Sequence, residues 1–362
     1  ATITAMGFSA SGVFYNNASS NTISNSIVVS TAYYGLYLSM TSDWNSISLS
    51  TALSYGAGQA GAYASNSSSN VFADSYFASP MGRGMQMTPG AHNNRILRST
   101  MVAGNSGFAG LEINQVNDTY VDQSVIMSTA GYIAAWVTAA SLRTFIERSS
   151  LTALGGAFSR AYQTDGGSAN VLERSALSSA GDAALMQGTS GRMSWNTVVG
   201  VKYGVYVNGA GQEISNNEIW GATAVYSGAA TDLRVLANRL TGTSAGGSGA
   251  YLDVTTLLFS SNTVTGPAAG SGVSFSAAAG GLLRVSTNTF SSGPMYGLMS
   301  GALQPGTTLY ISSNTFLPTV GGSTSTYGLY FNGLNQGTTV QNNSIYYRMT
   351  GGMAAGMVTY GL

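Results

Sequence analysis

The sequence has no cysteine and a single histidine, His92. A disulfide framework and a thiolate metal site are therefore excluded. One histidine cannot form a zinc pair, and no Ser–His–Asp set suggests itself around it. Charge is scarce too: only 7% of residues are charged, against about 25% in an ordinary soluble domain. Thirteen cations balance thirteen anions, and Lys202 is the only lysine. So sparse and even a charge offers nothing to attract a nucleic acid backbone or an anionic membrane. Weak self-repulsion favours association instead. No apolar run reaches the ~18 residues that a membrane span needs. No secretory leader stands ahead of Ala1, so the expectation is a processed form or a piece of a longer chain.

What replaces the charge is glycine (48 residues), serine, threonine and asparagine, with 21 tyrosines and 12 phenylalanines. Disordered chains are poor in aromatics, so a folded chain is expected. A short pattern recurs from end to end: apolar, two variable positions, Ser or Asn, any residue, apolar. It reads ISNSIV from Ile23 and ISNNEI from Ile214. The Ser/Asn column is Ser26, Ser50, Ser75, Ser99, Ser124, Ser149 and Ser175, then Asn196, Asn217, Asn238, Asn262, Asn288, Asn314 and Asn343. Successive members are 21 to 29 residues apart. Ile3 and Phe8 look like a partial first repeat, with Met6 in the column position.

A second pattern, Gly (or Ala)-apolar-x-apolar, follows each column residue. Gly35-Leu-Tyr-Leu38 and Gly204-Val-Tyr-Val207 are clear instances; between Ser149 and Ser175 it cannot be placed. Apolar residues alternate with period two, as in strands, and no helical period is sustained. Two short strands plus turns make one coil. One coil cannot bury its apolar side alone, whereas stacked coils share an interior. The expected fold is all-β: one single-stranded right-handed parallel β-helix, or β-solenoid, over residues 1–362, with about fifteen coils and no evident terminal caps. At ~4.8 Å per coil it would rise roughly 70 Å. The Ser and Asn columns are then structural ladders at a turn, each side chain bonding its copy in the next coil. Repeats such as NTISNSI and YGLYL resemble those of the parallel β-helix repeat proteins over nearly the whole chain. That resemblance implies the fold but leaves function open, since the family includes carbohydrate-active enzymes, phage tailspikes, adhesins and surface proteins.

Two columns carry possible function. Asp122, Glu147 and Glu173 fall at equivalent positions in successive coils, each followed or interleaved by Arg98, Arg148 and Arg174. Stacked acids could serve glycoside hydrolysis, or they could be one interleaved salt-bridge patch; the same acids could also hold a cation. The outward position of the Gly strand holds Phe14, Tyr37, Tyr63, Trp136, Tyr206, Tyr226, Tyr251 and Tyr330, with Gln86, Glu112, Ser274, Met299 and Val358 between them. Such rings could meet sugars or another surface, or simply stack on one another.

The leading expectation is a non-enzymatic extracellular or cell-surface structural or adhesive solenoid. Its partners would be itself, end to end or laterally, the rest of a longer β-helix, or glycans. No cofactor, metal, nucleic acid or membrane span is expected. The alternatives are a polysaccharide-degrading or tailspike-like enzyme and a passive glycan-binding rod. Variable stretches at 317–327 and 346–354 are candidate binding loops.

Overall fold

The computed structural model describes residues 1–138, 140–267, 270–291, 296–317, 319–320, 326–332, 337–346, 348–349 and 354–360. Most of the two variable stretches lies outside them. The chain forms two compact units, Ala1–Thr189 and Ser190–Leu362. Both are all-β, without a helix among the described residues, and their strands pair in parallel, coil on coil.

In the first unit a coil carries three strands rather than two, as in Leu36–Ser39, Ser46–Ser48 and Thr51–Ser54. The repeat that looks like one strand is bent in its middle. The residue before each ladder serine (Asn25, Leu49, Asp74, Arg98, Gln123, Arg148 and Arg174) is left-handed, with φ of 45–49°. One such residue turns extended chain sharply. Its cost of about 1–2 kcal/mol is offset by hydrogen bonding, since the amide of Leu49 donates to Ala73 O of the next coil and that of Arg98 to Asp122 O. A second bend repeats the device at Ser20, Trp44, Ser69, Asn93, Asp118, Arg143 and Ala169, with φ of 53–60°.

The ladder serines are neighbours in adjacent coils. The Ser99 amide donates to Ser124 Oγ (3.2 Å), and the Ser124 amide to Ser149 Oγ (3.1 Å). Each hydroxyl in turn donates to the carbonyl two residues before it, as Ser124 Oγ does to Asp122 O. The first coil starts earlier than the sequence suggests. Ile3 pairs with Val28 and the Ile27 amide reaches Ala1 O, so Ala1 holds the column position. Met6 and Phe8 are exposed instead.

Between the walls lies a dry interior. Ile47, Phe72, Ile96, Val121, Ile146 and Leu172 are all buried in one file. Ala52, the smallest member of a neighbouring file, stacks on Phe77, whose ring meets Phe72 edge-on at 5.8 Å. The strand that sequence reading could not place is Arg160–Thr164. It sends Tyr162 inward, fully buried, between Ala135 and Ala184 of the coils on either side. One large side chain between two small ones keeps the packing density constant. The glycine opening the second pattern is required by close approach: a Cβ on Gly84 would lie 2.5 Å from both Gly110 O and Val102 N.

The second unit replaces the serine ladder by asparagine. Asn238 Nδ2 donates to Ile214 O (2.8 Å) and Asn262 Oδ1 (3.0 Å), and its Oδ1 accepts from Asn217 N and Nδ2. Here the bend between two walls also disappears in places, leaving continuous strands Ser248–Ser260 and Ser271–Ser286.

Candidate functional site

The column read from the Gly strands lies in register coil on coil, with Glu112 and Ser274 buried rather than exposed. In the first unit Phe14, Tyr37, Tyr63, Gln86, Glu112, Trp136, Gln163 and Leu185 are successive register partners. In the second unit Tyr206, Tyr226, Tyr251, Ser274, Met299, Tyr330 and Val358 follow one another. Phe14 is 52% and Tyr251 40% exposed, while the other ring members are half-buried.

They are half-buried because a second file of rings, which sequence reading missed, lies beside them. Tyr34, Tyr203, Tyr296 and Tyr327 each stand just before the glycine. Tyr34 stacks on Tyr63 (4.4 Å, 7°), Tyr203 on Tyr226 (4.5 Å, 15°) and Tyr296 on Tyr327 (5.4 Å, 12°). Within the column, Tyr37 meets Tyr63, and Tyr206 meets Tyr226, edge-on at 5.1 Å. The Tyr-Gly-x-Tyr spelling was the available signal. Burial holds the phenols of Tyr34 and Tyr226 above the ordinary tyrosine value, with neighbouring phenols adding to it. They remain neutral hydrogen-bonding groups at neutral pH.

Between the rings of the first unit lies a polar cluster. Arg83 pairs with Glu112, donates to Gly58 O (3.0 Å) and lies 4.6 Å over the Phe108 ring. Gln86 Nε2 donates to Glu112 Oε1 (3.0 Å). One step on, Trp136 Nε1 donates to Asp165 Oδ2 (2.7 Å), which also accepts from Gln163 Nε2. Arg160 Nη1 donates to Gln163 Oε1 (2.7 Å) and its Nε approaches Asp182 at 3.6 Å. The indole is thus fixed at one edge by a carboxylate, with its ring half-exposed among amides and guanidinium groups. A flat ring bordered by fixed donors and acceptors is suited to a sugar's C–H face and hydroxyls. Sequence reading found Trp136, Gln86 and Glu112 through their column. Arg83 opens the strand Arg83–Met87, and Phe108 and Asp165 come from connecting segments of variable length; none of the three left a periodic trace.

The acids stack as expected: Asp122 pairs in register with Glu147, and Glu147 with Glu173. All three are buried. Arg148 forms two bonds to Asp122 (2.8 and 2.7 Å) and a third to Glu147 (3.2 Å). Arg174 pairs with Glu173 (3.2 Å) and approaches Glu147 at 3.9 Å. Tyr120 donates its hydroxyl to Glu147. This is the interleaved ion-pair ladder. Arg98 belongs to a neighbouring pair, bonding Asp74 twice at 2.7 Å. His92 is built into a turn, where its Nδ1 accepts the Asn117 amide at 3.0 Å.

A family profile described as periplasmic copper-binding protein (NosD) matches residues 3–133. Copper would need soft or imidazole ligands. The chain has no cysteine and one histidine, and no group of three His, Asp or Glu side chains able to hold a metal occurs among the described residues. Among the described residues no copper site built from imidazole, thiolate or carboxylate ligands is formed. Among solved structures, the mannuronan C-5 epimerase AlgE6 A-module of Azotobacter vinelandii is similar at 13% identity and a TM-score of 0.43. The alignment covers 94% of this chain and 84% of that one. DFA-IIIase of Arthrobacter chlorophenolicus A6, without its lid and in complex with GF2, is similar at 12% identity and a TM-score of 0.41, covering 89% and 88%. No curated protein matches the sequence. By its repeats, parallel pairing and side-chain ladders, the chain has the fold of the right-handed parallel β-helix repeat proteins.

Proposed function

We propose that the chain is a non-enzymatic structural and adhesive solenoid of the cell exterior or surface, and that it meets glycans through the ring-bearing face around Trp136. The observation that carries this reading is how the carboxylates are used. Asp74, Glu112, Asp118, Asp122, Glu147, Glu173, Asp182, Glu213 and Glu218 each pair with an arginine, and nearly all these pairs join one coil to the next. Acid–base catalysis needs carboxyl groups that can exchange protons with substrate. Here those groups hold coils together, while the rings face outward. The periplasmic description of the matching profile supports work outside the cytoplasm. Sparse, balanced charge supports association with further copies, end to end or laterally.

The test is a panel of neutral glycans, read for both binding and turnover. Binding should fall about tenfold in Trp136→Ala and several-fold in Tyr37→Ser, in line with the ~1–1.5 kcal/mol of a ring contact. Turnover by the natural protein that disappears in Asp122→Asn or Glu147→Gln would establish an enzyme instead. Electron microscopy should show end-joined or laterally packed particles; monomers alone at high concentration would remove the assembly part.

A further inference from the structure

We propose that Arg284 anchors a second binding site, for the anionic group of an acidic sugar (a carboxylate or a sulfate ester), separate from the ring face around Trp136 and independent of it. The guanidinium is exposed, and among the described residues it has no carboxylate within 4.0 Å. Eight other arginines are neutralised: Arg83, Arg98, Arg143, Arg148, Arg160, Arg174, Arg234 and Arg239 each pair with an acid. For Arg284 the sequence explains why no acid stands near. Asp253 is the last carboxylate side chain, and residues 254–362 contain two arginines and no acid. A counter-ion for Arg284 has to come from outside this stretch.

The surroundings describe what that counter-ion is attached to. Arg284 stands in register between Leu258 and Tyr310 of the adjacent coils and lies 5.9 Å over the Tyr310 ring. It walls two cavities. One, of about 230 Å³, is completed by Ser286, Tyr310 and Ser312. The other, of about 300 Å³, is mainly apolar, with Leu258 and Leu282 on its floor and Asp232 among its lining residues. Guanidinium binds planar anions through paired hydrogen bonds. In the larger cavity Asp232 disfavours an anion and Arg234 is already paired with Glu213, so the charge seats on the Tyr310 side, where two serine hydroxyls can also donate. Tyr310 is 41% exposed and offers a face to pyranose C–H groups. The apolar cavity takes the neighbouring sugar's less polar side.

The probes are a heparin oligosaccharide (sulfated), a hyaluronan oligosaccharide (carboxylated) and dextran (neutral), titrated calorimetrically against the full chain. Either acidic probe should bind, and which one binds identifies the anion; dextran should not compete. Arg284→Gln should weaken binding at least tenfold and flatten its salt dependence, and Tyr310→Leu should weaken it several-fold. Arg95→Gln is the control, because Arg95 also lies over a ring, that of Tyr120, at 5.6 Å; it should change nothing. Trp136→Ala should leave acidic-sugar binding intact, so loss of the ring-face reading does not affect this one. Failure of both acidic probes overturns the proposal. So do equal losses in Arg284→Gln and Arg95→Gln, which would mean diffuse charge attraction.

Discussion

The two units solve the same problem, sealing the corners of a parallel coil, with different side chains. In the first unit the corner after the short strand is sealed by serine, and the corner before it by a separate amide column. Asn21 N donates to Asn45 Oδ1, Asn45 N to Asn70 Oδ1 and Asn70 N to Asn94 Oδ1, each at 2.8 Å. The second unit puts its amides at the first of these corners. The difference lies in how fully each side chain is used. Asn217, Asn238, Asn262 and Asn288 employ both amide hydrogens as well as the oxygen. In the first unit Asn45 and Asn70 leave Nδ2 buried without a protein partner. The amide ladder of the second unit therefore ties backbone and side chain together, whereas Asn45 and Asn70 serve as acceptors alone.

That difference predicts a ranking, read from urea unfolding midpoints. Asn238→Ala should be the most damaging. It strips four side-chain bonds from a buried site and should cost about 4 kcal/mol, at roughly 1 kcal/mol per bond lost. Asn238→Ser should recover only part of this, because a hydroxyl cannot donate twice. If Asn238→Ser is as stable as the natural chain, the amide adds nothing to the second unit's corner.

Next comes Gly84→Ala in the first unit, where the two walls nearly touch. The added methyl meets backbone on both sides at 2.5 Å, and about 3 kcal/mol is expected from overpacking. Ser99→Ala and Asn70→Ala should follow at about 1–2 kcal/mol each. Ser99 loses the bonds to Ser75 N and Leu97 O. Asn70 loses the acceptor for Asn45 N, but its unpartnered Nδ2 goes with it. Should Asn70→Ala prove as costly as Asn238→Ala, the contrast between the columns would be wrong.

The columns themselves were legible because each coil must present the same kind of side chain at the same corner. Ladder position, inward files and outward rings therefore recur in the sequence. The amide column was legible too, though unread: Asn21, Asn45, Asn70, Asn94 and Asn170 each stand five residues before a ladder serine. The bends were not legible. Asn25, Leu49, Arg98 and Gln123 share one left-handed backbone state, yet share no chemistry, because inter-coil bonding sets φ there and the side chain points to solvent. The three-strand coil followed from those bends and was hidden with them. At the candidate site, Trp136 was readable from its column. Its partner Asp165 was not, because a turn delivers it.

The smallest expected effect is on pH, and it too separates the units. Two aspartates of the first unit are held in bidentate pairs: Asp74 by Arg98, and Asp118 by Arg143 at 2.6 and 2.7 Å. Hydrogen bonding to the guanidinium, foremost among the causes, lowers both carboxyl pKa values below the ordinary aspartate value. A group whose folded value is depressed stabilises the fold above its unfolded value, about 3.9 for aspartate. That contribution disappears as pH falls through the lower folded value. Both pairs are largely exposed, so solvent and salt keep the contribution small. Hydrogen exchange from pH 5 downward should show the coils around Asp74 and Asp118 losing protection first, and 0.5 M salt should reduce the difference. The amide ladder itself carries no titrating group, so protection at Asn262 through Asn288, beyond the Glu213–Arg234 and Glu218–Arg239 pairs, should hold over the same range. Simultaneous loss in both units would mean that the corner chemistry does not set their relative acid resistance.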